Sequence, residues 1–162
     1  MDFPGSPEKE IARICLEKKW RIAVAESCTG GLLGGRITAV PGSSSYFLGG
    51  VVAYSNSLKV SLLHVDPDLI QQHGAVSGDV ARAMAKGIAA AATAEIGVAV
   101  TGVAGPEGSE EKPPGTVFIA VCTPLVSLSR HYHFSGDRAA VREAAVREAL
   151  ALVVECAGTD RP

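Results

Sequence analysis

Residues Ala23–Gly31 read "AVAESCTGG". A short apolar segment ends in a carboxylate, two hydroxyls and a thiol, and two glycines then open an amphipathic stretch. That junction sets the class of the fold. Arg21–Ala25 is predicted as a strand. After the glycines, Leu33, Ile37 and Val40 recur at helical spacing until Pro41-Gly42 ends the run. A strand feeding directly into a helix is the repeating unit of α/β layers.

The flanking sequence repeats this alternation. Upstream, Glu8–Lys19 places Ile11, Ile14 and Cys15 on one helical face, with Pro7 suited to the first turn. Downstream, Phe47–Tyr54 ("FLGGVVAY") reads as a buried strand bent at its glycine pair, followed by short helices at Ser57–Leu63 and Pro67–Gln72. Ser77 is placed to cap an Ala-rich helix over Asp79–Glu95, with Val80, Met84 and Ile88 inward. Gly97–Thr101 is the next strand, and "TGVAGPEGSEEKPPG" after it reads as an irregular loop. Thr116–Cys122 and Leu125–Phe134, joined at Thr123-Pro124, form a late antiparallel hairpin. Asp137–Val154 is the last helix, with Val141, Ala145, Ala149 and Val153 inward.

The expectation is an α/β single-domain layered sandwich over residues 1–162, its sheet mixed and mostly parallel. Open α/β sheets bind ligands beyond the carboxyl ends of their strands. The loops Glu26–Gly31 and Thr101–Gly105 both leave such ends, so they are expected to share one edge.

Composition narrows the function classes. With 15 Lys and Arg against 17 Asp and Glu, the net charge is −2, and no basic face for nucleic acid is expected. Aromatic residues make up only 5%, so the core is expected to be small aliphatics closely packed. The N-terminal "MDFPGSPEKE" has no apolar leader, and no apolar run reaches the ~20 residues of a membrane span. Cys15, Cys28, Cys122 and Cys156 lie far apart, without zinc spacing, as free thiols of a cytoplasmic protein would.

Ser27 is the first candidate for chemistry. At a strand end before a glycine-opened helix it could be a nucleophile, an anion ligand, or simply the N-cap of that helix. A nucleophile needs a base. His64 and His73 fall in helical turns, and His131 and His133 share one face of a strand, so lysine or tyrosine is left to activate the serine. In "AYSNSLKV", Tyr54 ends a strand and Lys59 follows about one helical turn later. A lysine in a partly dry cleft can serve as base, although an exposed helix lysine is the plainer reading. Gly102 and Gly105 would let backbone approach a ligand, or merely form a turn. Arg138 and Arg142, spaced i, i+4, could grip a phosphate or pair with neighbours such as Glu143.

Together, "AESCTGG", "YFLGGVVAYSNSLKVSLL", "GAVS", "VTGVAGPEG", "KPPGTVFIAV" and "FSGDRAAVREAAVREAL" resemble the CinA C-terminal-domain family, in matching order over about Ile11–Leu152. The resemblance implies hydrolysis of nicotinamide mononucleotide to nicotinate mononucleotide and ammonia, with no cofactor and no metal. It carries the nucleophile onto Ser27 and its catalytic partners onto Tyr54 and Lys59. Substrate contacts carry onto Thr101, Gly102, Gly105 and Arg142, with Thr29, Gly30 and Gly31 beside the serine. The expected partner is a small nucleotide, and a homo-oligomer is left open. The acidic run Glu107–Glu111 is given no role.

Overall fold

The structure, a computed structural model, describes residues 5–159. The leader reading of Met1–Pro4 lies outside the described residues. Helix α1 (Pro7–Lys18) leads into β1 (Ile22–Glu26), then α2 (Leu32–Thr38) and β2 (Phe47–Val52). Three helices follow: α3 (Asn56–Leu63), α4 (Pro67–His73) and α5 (Gly78–Ala92). Strands β3 (Ile96–Gly102), β4 (Thr116–Cys122) and β5 (Ser127–His133) precede the last helix, α6 (Arg138–Ala157).

The five strands form one mixed sheet in the order β2-β1-β3-β4-β5. The β1–β2 and β1–β3 ladders are parallel, and the β3–β4 and β4–β5 ladders are antiparallel. Alternation along β1 explains the layers. Ile22 and Val24 enter a core shared with α1, α2 and α6, whereas Ala23 and Ala25 enter one shared with α5. Small residues on the second face let α5 approach closely. A Cβ on Gly97 would strike the Ala85 carbonyl, and one on Gly87 would strike that of Leu63.

Sequence-predicted helix faces hold: Val80, Met84 and Ile88 of α5 and Val141, Ala145, Ala149 and Val153 of α6 are all buried. Ser77 caps α5 by accepting from the Val80 amide at 3.3 Å. The reading of β2 as a buried strand is corrected. This strand is at the sheet's edge, paired only with β1, and Leu48, Gly50 and Val52 alternate to the outside. Its glycine pair marks a register shift rather than a simple bend, and a Cβ on Gly50 would lie 2.5 Å from Val24 Cγ2. Among the described residues, no helix is long and apolar enough to cross a membrane.

Candidate active site

Parallel strands β1 and β3 end side by side, and the loops leaving them do share one edge, as anticipated. A cavity of about 360 Å³ opens there, within the ~300–1,000 Å³ typical of small-molecule sites. Ser27 lies on its wall as the first residue beyond β1. Its amide donates to the Val100 carbonyl at 3.0 Å, which ties it to β3.

The N-cap reading of Ser27 is overturned by the residue before it. The Glu26 carboxylate is only 2% exposed and turns back onto the start of α2. One oxygen accepts from the amides of Gly31 at 3.2 Å and Leu33 at 2.9 Å, and the other from Gly34 at 3.0 Å. An anionic group at the positive end of the helix satisfies the orphan donors that a serine cap would otherwise take. Ser27 is therefore left for the cavity.

Lys59 comes to that serine from α3. The β1–β2 pairing continues one residue past the ladder, with the Ala53 amide donating to the Glu26 carbonyl at 2.8 Å. The following turn brings in α3, capped by Ser55. The Lys59 ammonium is 1% exposed and has three partners: the carbonyls of Ala53 at 2.9 Å and Tyr54 at 3.3 Å, and Ser27 Oγ at 3.3 Å. Burial lowers its pKa from the ordinary lysine value, opposed by the charge of Glu110 and by Cys28. Both carbonyls only accept, so they claim two N–H bonds. The third position of the nitrogen faces Ser27, as an N–H in the ammonium and as a lone pair in the free amine. One geometry serves both protonation states.

Tyr54, a catalytic partner by resemblance, does not bring its hydroxyl to Ser27 or Lys59. Only its carbonyl meets Lys59. Its ring is 59% exposed at the cavity's mouth, and its hydroxyl accepts from Arg138 at 2.9 Å. Arg138 also donates to the Gly105 carbonyl at 2.7 Å, so it straps the Tyr54 turn to the loop after β3. The arginine on the cavity wall is thus Arg138. Arg142, given a substrate contact by resemblance, donates instead to the carbonyls of Cys28 at 3.1 Å and Thr29 at 3.2 Å, behind the wall.

Thr29, Gly30 and Gly31 likewise do not line the cavity; they form the turn that Glu26 and Arg142 hold. A Cβ on Gly30, at φ +59°, would lie 3.1 Å from the Arg142 guanidinium. Thr101, Gly102 and Gly105 do line it. The Thr101 hydroxyl donates to the Ala75 carbonyl at 2.9 Å, and Gly102 lacks a side chain because β4 presses on it, with the Thr116 carbonyl 2.9 Å from a Cβ. Cys28 and Ala104 also line the cavity.

The acidic loop, left without a role on sequence, lines the cavity. Glu110 accepts from the amides of Ala75 at 2.9 Å and Val76 at 3.0 Å, and both Glu107 and Glu110 line the cavity. No sequence signal announces it, since the amides that Glu110 holds lie 35 and 34 residues away. Cys28 is buried beside Ser27, and burial pushes its thiol up to about 11. No cluster of three or more His, Cys, Asp or Glu suited to a metal occurs among the described residues.

Fold and site define a layered α/β domain with a buried serine–lysine pair at the carboxyl ends of its parallel strands. The chain belongs to the family described as CinA C-terminal domain, whose model matches residues 5–157. It is 52% identical over 151 residues to a CinA-like protein of Acidobacterium capsulatum, covering 92% of this chain and 36% of that one. A CinA-like protein of Geobacter metallireducens is 50% identical over 133 residues, covering 82% and 32%. The chain thus spans about a third of the length of these curated relatives. The competence damage-inducible protein A (ComA) of Klebsiella pneumoniae superimposes with a TM-score of 0.91 at 35% identity, covering 97% of this chain and all of the other.

Proposed function

We propose that this domain hydrolyses the carboxamide of nicotinamide mononucleotide, giving nicotinate mononucleotide and ammonia, with Ser27 as nucleophile and Lys59 as its base. The observation that carries the reading is the contact between Lys59 Nζ and Ser27 Oγ at 3.3 Å, with two carbonyls orienting the amine. The resemblance of the site motifs supplies the substrate.

The free amine of Lys59 takes the hydroxyl proton as Oγ bonds to the amide carbon. The carbonyl oxygen becomes an oxyanion, for which the amides of Cys28 and Ala104 are the proposed donors. Lys59 then returns its proton to the nitrogen, the C–N bond breaks, and ammonia leaves an acyl-Ser27 ester. Water attacks that ester with Lys59 again as base, which frees the carboxylic acid and restores the serine. Arg138, strapped to Tyr54 at the mouth, is the cation placed for the nucleotide's phosphate.

Ammonia release from nicotinamide mononucleotide, measured for the native chain and for Ser27→Ala, tests the proposal. Turnover by native protein and its loss in the variant are expected. Tight binding without ammonia from native protein would leave a nucleotide-binding module, and activity confined to another small carboxamide would replace the substrate.

A further inference from the structure

The cavity wall carries an unusual charge pattern for a site that receives a phosphate. Two carboxylates, Glu107 and Glu110, line it together with one guanidinium, Arg138, and the almost wholly buried amine of Lys59. A plain anion entering this space meets carboxylates as well as cations. A ligand that is cationic at one end and anionic at the other meets both.

Glu110 is held in place for such a role. The amides of Ala75 and Val76 hold its carboxylate, and its backbone adopts φ +54° to reach them. Lys112, which does not line the cavity, forms an ion pair with one carboxylate oxygen at 3.5 Å and also donates to the Val76 carbonyl. Near the reaction centre, the charge of Glu110 is felt at Lys59.

We infer that Glu110, assisted by Glu107, is a specificity-determining residue that selects a permanently cationic ring in the ligand whose carboxamide meets Ser27. The inference rests on the function proposed above. In an N-ribosyl pyridine the positive nitrogen is two ring bonds from the carbon bearing the carboxamide. With that carboxamide at Ser27 and the phosphate toward Arg138, the ring lies within the cavity that Glu110 lines. The carboxylate is acceptor-only and already fixed, so it selects by field rather than by a hydrogen bond to the ring.

The test compares binding of nicotinamide mononucleotide with benzamide riboside monophosphate, whose ring is neutral and otherwise matched. Both are titrated by calorimetry against Ser27→Ala protein, so that turnover does not interfere. The cationic ligand is expected to bind about tenfold more tightly, the effect of one charge contact at an intermediate dielectric. Adding Glu110→Gln should cut that preference to about threefold or less, as the same contact is removed. Affinity for the neutral ligand should hold. Equal affinities before that change, or an undiminished preference after it, would overturn the inference. If Glu110→Gln unseats the loop and weakens both ligands, raising the salt from about 0.05 to 0.5 M decides. A preference that shrinks at least about threefold supports a charge origin, and a constant one overturns it. Absence of ammonia from native protein would defeat the proposed activity but not this binding comparison.

Discussion

The amide of Ala53 donates to the carbonyl of Glu26 at 2.8 Å, one residue beyond the β1–β2 ladder. The same Ala53 accepts from Lys59 through its own carbonyl, and Glu26 is covalently joined to Ser27. A closed circuit therefore runs from β1 through β2 to the lysine and back to the serine. The two side chains are 32 residues apart in sequence, yet their separation is set by backbone pairing. A site built on strand ends in this way is preorganised.

If Lys59 is the base of the proposed reaction, the pH dependence of turnover follows from its state. The base must be neutral, and its neutral fraction grows as pH rises through a pKa that burial holds below the ordinary 10.5. The rate constant kcat/KM is expected to climb about tenfold per pH unit and then level off below that value. Lys59→Arg cannot lose its proton and should fall by about 10³-fold or more at every pH. Stability carries the same signature. Between the lowered folded pKa and 10.5 the unfolded chain binds the extra proton, so stability rises with pH across that window. The difference in Tm between Lys59→Met and native protein should therefore decline as pH increases over that range. A difference independent of pH would show that the folded lysine titrates normally.

Glu26 is the hidden support of the turn after Ser27, the proposed nucleophile, and its replacements should be graded. Glu26→Gln keeps one acceptor oxygen for Gly31 and Leu33 but presents an amino group to the Gly34 amide, now 3.0 Å from a carboxylate oxygen. Glu26→Ala abandons all three donors. Loss of a helix cap costs about 0.5–2 kcal/mol, with Ala at the upper end and Gln below it. Because the cap also fixes the turn after Ser27, kcat should fall in the same order while KM moves little. Urea unfolding and steady-state kinetics on both variants check the two rankings together.

Much of this molecule can be read from its residues, for identifiable reasons. The buried faces of α5 and α6 are legible because Val80, Met84 and Ile88, or Val141, Ala145 and Ala149, repeat at the helical period. Placement of Ser27 and Lys59 at one site follows from the topology of two adjacent strand ends. The roles of Glu26 and Glu110 were not legible, since each acts on backbone amides that no pattern of side chains announces. For β2, a continuous apolar run looks the same whether the strand is central or at an edge, and only the sheet order exposes Leu48 and Val52. Arg138 and Arg142 share a helix side in sequence terms. The loops they meet are supplied by distant segments, and so their division of labour is invisible to spacing.

Close packing between α5 and the sheet makes the glycines unequal. At Gly97 a methyl would meet Ala89 Cβ at 2.9 Å as well as the Ala85 carbonyl. Neither neighbour can swing away. Gly97→Ala should destabilise the domain by about 1–3 kcal/mol through overpacking. Gly35 lies in α2 with nothing within 4 Å of its would-be methyl. Gly35→Ala should stabilise by about 0.5–1 kcal/mol through helix propensity. Denaturant midpoints with unchanged m-values would confirm opposite signs, and equal effects would refute the packing account.

Two arginines one helical turn apart are expected to fail in different ways. Arg138 reaches the mouth of the cavity, where its guanidinium bonds the Tyr54 hydroxyl and the Gly105 carbonyl, and in the proposed reaction it is the cation that meets the phosphate. Arg138→Ala should raise KM about ten- to hundredfold, as befits a charge-assisted contact worth about 1.5–3 kcal/mol, with a smaller change in kcat. Arg142 touches only the turn that carries the nucleophile, through the carbonyls of Cys28 and Thr29. Arg142→Ala should lower kcat at nearly constant KM, because a turn released from its clamp no longer aims the Cys28 amide at the developing oxyanion. Lysine at 138 should restore binding in part, since a point charge still attracts phosphate. At 142 it should restore little, since a single ammonium cannot bond two carbonyls in the spread of the guanidinium fork. The opposite assignment, with KM governed by Arg142 and kcat by Arg138, would mean that the ligand enters from behind the turn rather than through the mouth.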